Sequence, residues 1–130
     1  SDLPSEIEAV ISTLRNTYPT NRLVVIFQPH RYSRTRDLFN EFVSCLSKVD
    51  VLILLNIYSA NEAPINTISS STLADSIRRR SSIDPIVAKN SSEIVDILPN
   101  VVTENDVILT LGAGDVHKIP QQLKNHFAVN

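Results

Sequence analysis

Three arginines, one histidine and one tyrosine crowd the run Phe27-Gln28-Pro29-His30-Arg31-Tyr32-Ser33-Arg34-Thr35-Arg36. A planar guanidinium grips a carboxylate or phosphate through two parallel hydrogen bonds, so this spacing reads as an anion site. The run follows the apolar stretch Leu23-Val24-Val25-Ile26 and precedes a helical pattern. A buried strand ending in such a loop places it at the carboxyl edge of an open α/β sheet, where ligands bind. The plain alternative is a charged loop with Arg36 paired to Asp37 or Glu41. Arg36 is the most structural of the three, because positive charge at a helix start is unfavourable unless paired.

Two further loops carry polar groups. Asn56, Tyr58, Asn61 and Glu62 follow a second apolar run; Glu62 could bind an amine or contribute to a metal site, or simply sit in a solvated turn. Gly112-Ala113-Gly114-Asp115 holds the only two glycines of the chain, which lets backbone approach a ligand closely. The turn lacks the third glycine of a dinucleotide fingerprint, has His117 there instead, and follows the last strand rather than the first. No G-x-x-x-x-G-K-[ST] phosphate loop occurs, so no ATP site is visible in the chain itself. His30, His117 and His126 lack ligand spacing, and no metal site is expected.

Alternating helical and strand patterns must position these loops. Ile7, Val10, Ile11 and Leu14 have amphipathic helical spacing, with Pro4 in the first turn. Leu23 to Phe27 predicts the first strand. Thr35 to Ser47 predicts a helix with Leu38, Phe39, Phe42, Val43 and Leu46 on one face. Val51 to Leu55 is apolar on both faces, the pattern of a central parallel strand. Ser69-Ser70-Ser71 caps a helix from Thr72 to Arg80, and Pro85 to Ala88 is a short strand. Asn90 and Glu93 resemble a capping box for a helix that Pro99 ends. Val107 to Leu111 is the last strand, followed by a segment from Val116 to Phe127 that Pro120 splits or starts. The order predicts a three-layer α/β domain, Rossmann-like, with a mainly parallel sheet and helices on both faces. The three loops then share one sheet edge.

The totals agree with that reading. The 130 residues fit one domain, and 42% hydrophobic with 20% charged residues is ordinary for a globular chain. A net charge of −2 gives no basic field for nucleic acid, and Arg78-Arg79-Arg80 reads as a solvated helix end. No apolar run reaches membrane-spanning length and no signal peptide is visible. The single cysteine, Cys45, excludes an intrachain disulfide and reads as a buried thiol, which suits a reducing cytoplasm.

The residues resemble the carboxyl-terminal domain of the Mur ligases, in its alanine-adding branch. The resemblance rests on Val25 through Arg36, Val51 to Leu55, Tyr58 through Ile65, and Leu109-Thr110-Leu111-Gly112-Ala113-Gly114-Asp115, with Pro4-Ser5-Glu6-Ile7 as the entry to the domain. It covers almost the whole chain in order. The Gln-Pro-His-Arg-Tyr-Ser-Arg-Thr-Arg run is the specific part.

The resemblance implies a bacterial cytoplasmic ligase of peptidoglycan synthesis, working with ATP and Mg2+ bound mainly by a central domain. An N-terminal domain would hold the UDP-sugar. Both of those domains are expected to lie outside residues 1–130. The implied reaction phosphorylates the carboxylate of UDP-N-acetylmuramate, and the amine of L-alanine then attacks the acyl phosphate. Arg31 and Arg34 match positions associated with the alanine carboxylate and the closed site, with His30 and Tyr32 orienting their loop. Tyr58, Glu62, Gly112, Gly114 and Asp115 match positions facing the amino acid. The fragment alone is expected to be inactive, and no catalytic residue is assigned to it.

Two departures stand out. The family's Tyr-Pro-Ala-Gly-Glu is here Tyr58-Ser59-Ala60-Asn61-Glu62, where asparagine can take the left-handed turn. The family's Asp-Asp-Tyr-Gly-His-His-Pro motif should end near Pro4, yet only Ser1-Asp2-Leu3 precedes it, as expected of a cut at the domain edge or a diverged start. The alternatives are a ligase that attaches a recycled murein tripeptide to the same sugar, or a non-catalytic α/β anion-binding module.

Overall fold

A computed structural model describes residues 3–112. The elements run α1 (Pro4–Thr17), β1 (Leu23–Gln28), α2 (Tyr32–Asp37), α3 (Phe39–Leu46), β2 (Val51–Leu55), α4 (Ser70–Arg80), β3 (Ile86–Ala88), α5 (Ser91–Val101) and β4 (Val107–Gly112). The four strands form one parallel sheet in the order β3-β2-β1-β4. The chain steps outward from β1 to β3, then crosses back to place β4 on the other side of β1. That reversal puts a topological switch point between β1 and β4, at the carboxyl end where β1 delivers the arginine run.

Alternation along the strands builds two cores. Val25, Phe27, Leu52 and Leu54 face α1, α3 and α4 and pack with Ile7, Ile11, Phe42, Leu46, Leu73 and Ile77. Ile26, Ile53 and Leu55 face the other way and pack with Ile94 and Leu98 of α5. A strand buried on both faces has to read as a continuous apolar run, which is what β1 and β2 show. Phe27 meets Phe42 with ring centroids 5.6 Å apart, tilted by 34°. Each fully buried side chain of this size contributes about 1.5–3 kcal/mol.

Polar ties fix the ends of the sheet opposite the site. Asp106 accepts from Arg22 and from the Thr103 N–H and hydroxyl, joining the start of β4 to the start of β1. Asp50 accepts from Arg15 at 2.7 Å and from the Leu23 N–H at 2.7 Å, tying α1 to β1. At the carboxyl edge, on the side of the site, Ser70 donates its buried hydroxyl to the Leu55 carbonyl and seats α4 on β2.

Three local expectations need correction. The helix expected from Thr35 to Ser47 is two helices, α2 and α3, parted at Leu38 (φ −115°, ψ 24°). The first begins at Tyr32, so the loop after β1 shrinks to Pro29, His30 and Arg31. Pro99 lies inside α5, which continues to Val101; the proline lacks the N–H that would bond the Val95 carbonyl, but the turn beyond it still closes, with the Val102 N–H donating to the Leu98 carbonyl at 2.9 Å. Val10, expected on the buried stripe of α1, is exposed, and the stripe consists of buried Ile7 and Ile11 with Leu14 partly buried against the same core. The segment expected from Val116 to Phe127 lies outside the described residues.

Candidate functional site

The loop after β1 and the loop after β2 are stitched together at the sheet's carboxyl edge. The Tyr58 N–H donates to the Pro29 carbonyl at 2.9 Å, and the Arg31 N–H donates back to the Tyr58 carbonyl at 2.8 Å. This extends the parallel pairing of β1 and β2 by one bridge, His30 to Tyr58. Their rings stack, with centroids 5.7 Å apart and planes 16° from parallel. Below them the Gln28 amide donates to the Asn56 carbonyl at 3.2 Å.

Glu62 provides the second tie. Its carboxylate accepts the Ser33 N–H at 3.0 Å and the Ser33 hydroxyl at 2.5 Å. These bonds from Ser33 hold the Glu62 carboxyl below the usual glutamate range, against a smaller opposing effect of desolvation; the Tyr32 N–H and the Arg31 charge act in the same direction. The loop that delivers Glu62 turns through two successive left-handed residues, Ala60 (φ 50°) and Asn61 (φ 69°). Asn61 thus takes the conformation that its side chain tolerates best. Arg31 itself sits at φ 72°, uncommon for a residue with a Cβ.

His30, Arg31, Ser33, Arg34, Asp37 and Leu38 line an open cavity of about 490 Å³ above the end of β1. The arginines divide sharply by partner. Arg15, Arg22, Arg36 and Arg78 donate to carboxylates, and Arg79 and Arg80 donate to serine hydroxyls. Among the described residues, the guanidinium groups of Arg31 and Arg34 make no hydrogen bond; Arg31 has only a 4.0 Å approach to Glu62. Arg36 pairs with Asp37 at 2.9 Å, the structural role its position predicted.

The site residues foreseen from the sequence fall into three groups. His30, Arg31 and Arg34 share the cavity, and Tyr58 and Glu62 brace its wall through His30 and Ser33. Tyr32 opens α2 half-buried beside the cavity without lining it. Gly112 ends β4 in register with Gln28 of β1, at the switch point; Gly114 and Asp115 lie outside the described residues. Sequence reasoning passed over Ser33, Asp37 and Leu38. The signal for the last two was helical spacing, since Asp37 and Leu38 stand three and four residues after Arg34. Among the described residues no cluster of three His, Cys, Asp or Glu side chains could hold a metal ion. No helix there is long and apolar enough to cross a membrane.

Residues 3–114 match the family model described as Mur ligase, glutamate ligase domain. The chain belongs to the Mur ligase family. Among curated proteins, this Mur ligase domain is 60% identical over 124 residues to a UDP-N-acetylmuramate–L-alanine ligase of Ruthia magnifica subsp. Calyptogena magnifica, covering 95% of the chain and 26% of that protein. It is 57% identical over 120 residues to the enzyme of the same name from Methylococcus capsulatus, covering 92% of the chain and 25% of that protein. The Mur ligase domain thus spans about a quarter of the length of these relatives. Among solved structures, a domain assigned to a UDP-N-acetylmuramate:L-alanyl-γ-D-glutamyl-meso-diaminopimelate ligase of Haemophilus ducreyi superposes with a TM-score of 0.68 at 20% identity, covering 97% of this chain and 85% of that one. At that identity the likeness speaks for the shared fold.

Proposed function

We propose that this chain is the carboxyl-terminal, amino-acid-binding domain of a bacterial ligase that joins L-alanine to UDP-N-acetylmuramate with consumption of ATP, in peptidoglycan synthesis. The observation that carries the reading is the pair of guanidinium groups, Arg31 and Arg34, that share one cavity at the switch point and make no hydrogen bond among the described residues. The names of relatives 57–60% identical over nearly all of the chain supply the acid and the amine.

In this reading Arg31 and Arg34 hold the carboxylate of L-alanine. Fixing the carboxylate aims the amine at an acyl phosphate formed on the muramoyl group, which is catalysis by positioning. His30 lines the cavity with the Tyr58 ring stacked on it, Gly112 ends β4 in register with Gln28, and Gly114 and Asp115 are assigned to the amino acid by the family resemblance alone. Closure of this domain on the rest of the enzyme excludes water from an intermediate that hydrolyses readily.

The 130 residues contain no phosphate-loop pattern, and the described ones contain no metal-holding cluster. ATP, Mg2+ and the UDP-sugar are accordingly assigned to N-terminal and central domains of the same polypeptide, which also makes the isolated chain inactive. The bacterial cytoplasm is the compartment this reading assigns to the enzyme.

The test is phosphate release by the complete parent protein with ATP, Mg2+ and UDP-N-acetylmuramate. L-alanine, glycine, L-serine and the tripeptide L-alanyl-γ-D-glutamyl-meso-diaminopimelate are compared as acceptors. Release dependent on L-alanine is expected. Preference for the tripeptide would move the protein to the recycling ligases, and no stimulation by any acceptor would leave a non-catalytic anion-binding module.

A further inference from the structure

The helix that carries Arg34 cannot cap itself. Its N-cap residue is Arg31, whose side chain makes no capping bond, and its first turn contains no acidic residue. The first-turn N–H groups of a helix need acceptors, and negative charge there is favourable. Both come from 29 residues away in sequence, through Glu62. Glu62 reaches α2 only because Ala60 and Asn61 turn left-handed and the Glu62 N–H closes onto the Ser59 carbonyl at 3.0 Å. Thr35, buried, returns its hydroxyl to the Arg31 carbonyl at 2.8 Å, which locks the first turn from the inside.

We infer that Glu62 is a positioning residue: by capping α2 across the two loops, it sets the directions of Arg31 and Arg34 and couples the arginine pair to the seating of the second loop. Each Glu62 oxygen accepts from Ser33, and Oε2 also stands 4.0 Å from the Arg31 guanidinium, so in this inference its effect on the amino acid passes through α2 and Arg31. This rests on the proposed function and deepens it by separating the groups that hold the carboxylate from the group that aims them.

The experiment uses the complete parent ligase with Glu62→Ala, Glu62→Gln and Arg34→Ala, alone and combined. Glu62→Ala is expected to raise the KM for L-alanine by about tenfold or more, the scale of a lost charge-assisted bond, with the KM for ATP and for the UDP-sugar unchanged. Glu62→Gln should recover most of that loss, because its amide oxygen can accept the Ser33 N–H and its NH2 can donate to the Ser33 hydroxyl. In the Arg34→Ala background, Glu62→Ala should cost little more, the non-additivity of two residues acting as one unit.

Equal loss in Glu62→Gln and Glu62→Ala would overturn the inference in favour of a direct charge contact with the amine. An unchanged KM for L-alanine in Glu62→Ala would also overturn it. Amide hydrogen exchange of the parent protein supplies an arm independent of turnover: Glu62→Ala should speed exchange in residues 32–37 and leave 23–28 unchanged. If the wild type shows no L-alanine-dependent phosphate release, the function reading fails by itself, and this exchange result alone upholds or overturns the cap.

Discussion

Gly112 faces Gln28 across β4 and β1 with φ +120°, so close that a Cβ on Gly112 would stand 2.2 Å from the Gln28 carbonyl oxygen. The obstructing atoms are backbone in the central strand β1, so no rotamer change relieves the clash. The glycine keeps the ends of β1 and β4 in contact where the candidate site begins.

Gly112→Ala should therefore lower the stability of the chain by roughly 1–3 kcal/mol, the range for a strained backbone position, and more if the β1–β4 register gives way. Urea unfolding of the 130-residue chain checks this. An unchanged midpoint would show that the end of β4 moves aside at no cost.

Arg34 has no hydrogen-bond partner among the described residues, so its removal should cost little stability and much binding. Arg34→Ala in the parent enzyme should reduce kcat/KM for L-alanine by an amount equivalent to roughly 1.5–3 kcal/mol, the scale of a hydrogen bond to a charged group. The comparison is Arg36→Ala, whose partner is the exposed Asp37 and whose effect on kcat/KM should be small. Equal effects of the two substitutions would remove Arg34 from the site.

Acid should loosen the ties at both ends of the sheet. The Arg22 hydrogen bond and the Thr103 donors hold the Asp106 carboxyl below the usual aspartate range, against partial desolvation. Burial pushes the Asp50 carboxyl up, but Arg15, the Leu23 N–H and Arg22 outweigh it and leave it lowered too. Glu62 is lowered by Ser33. A carboxylate whose folded pKa is depressed adds stability above its unfolded pKa and loses it as pH falls through the folded value. Stability should thus be flat above about pH 5 and fall below about pH 4. Asp106→Asn should shrink the size of that fall in a series of urea midpoints; an unaltered profile would mean Asp106 is not among the groups responsible.

Cys45 lies on the buried face of α3 at 2% exposure, and burial pushes its thiol up to about 11. The thiolate is the reactive form. A charged disulfide reagent at pH 7 should label the native chain negligibly and the urea-unfolded chain with one equivalent. Rapid labelling of the folded chain would show that α3 opens or that the thiol is exposed.

Much of the architecture was legible in the chain. Val51 to Leu55 is apolar at every position, and only a strand covered on both faces needs that, so a parallel three-layer sheet followed from the residues alone. Ser69 and Asn90 cap their helices as their side chains predict, because a cap is a contact over three residues. The helix start at Tyr32 was missed for the opposite reason. Its cap is Glu62, and Arg31 at the N-cap position has no side-chain acceptor to offer. The extension of α5 past Pro99 was missed because a proline removes only its own bond from the ladder, and the Val102 N–H still closes the next turn onto the Leu98 carbonyl.

The sequence by itself determined which groups were available: an arginine-rich run after a buried strand, a tyrosine and glutamate loop, and two glycines at one turn. Periodicity is local, and so the elements and their order could be read from it. Which arginines remain free is a property of distances between segments far apart in the chain. Arg15 finds Asp50, Arg22 finds Asp106, and Arg31 and Arg34 find no such hydrogen-bond partner, while Glu62 spends its charge on Ser33. Only the tertiary structure, through the crossing of β4 to the far side of β1, placed Arg31 and Arg34 at the switch point of the sheet.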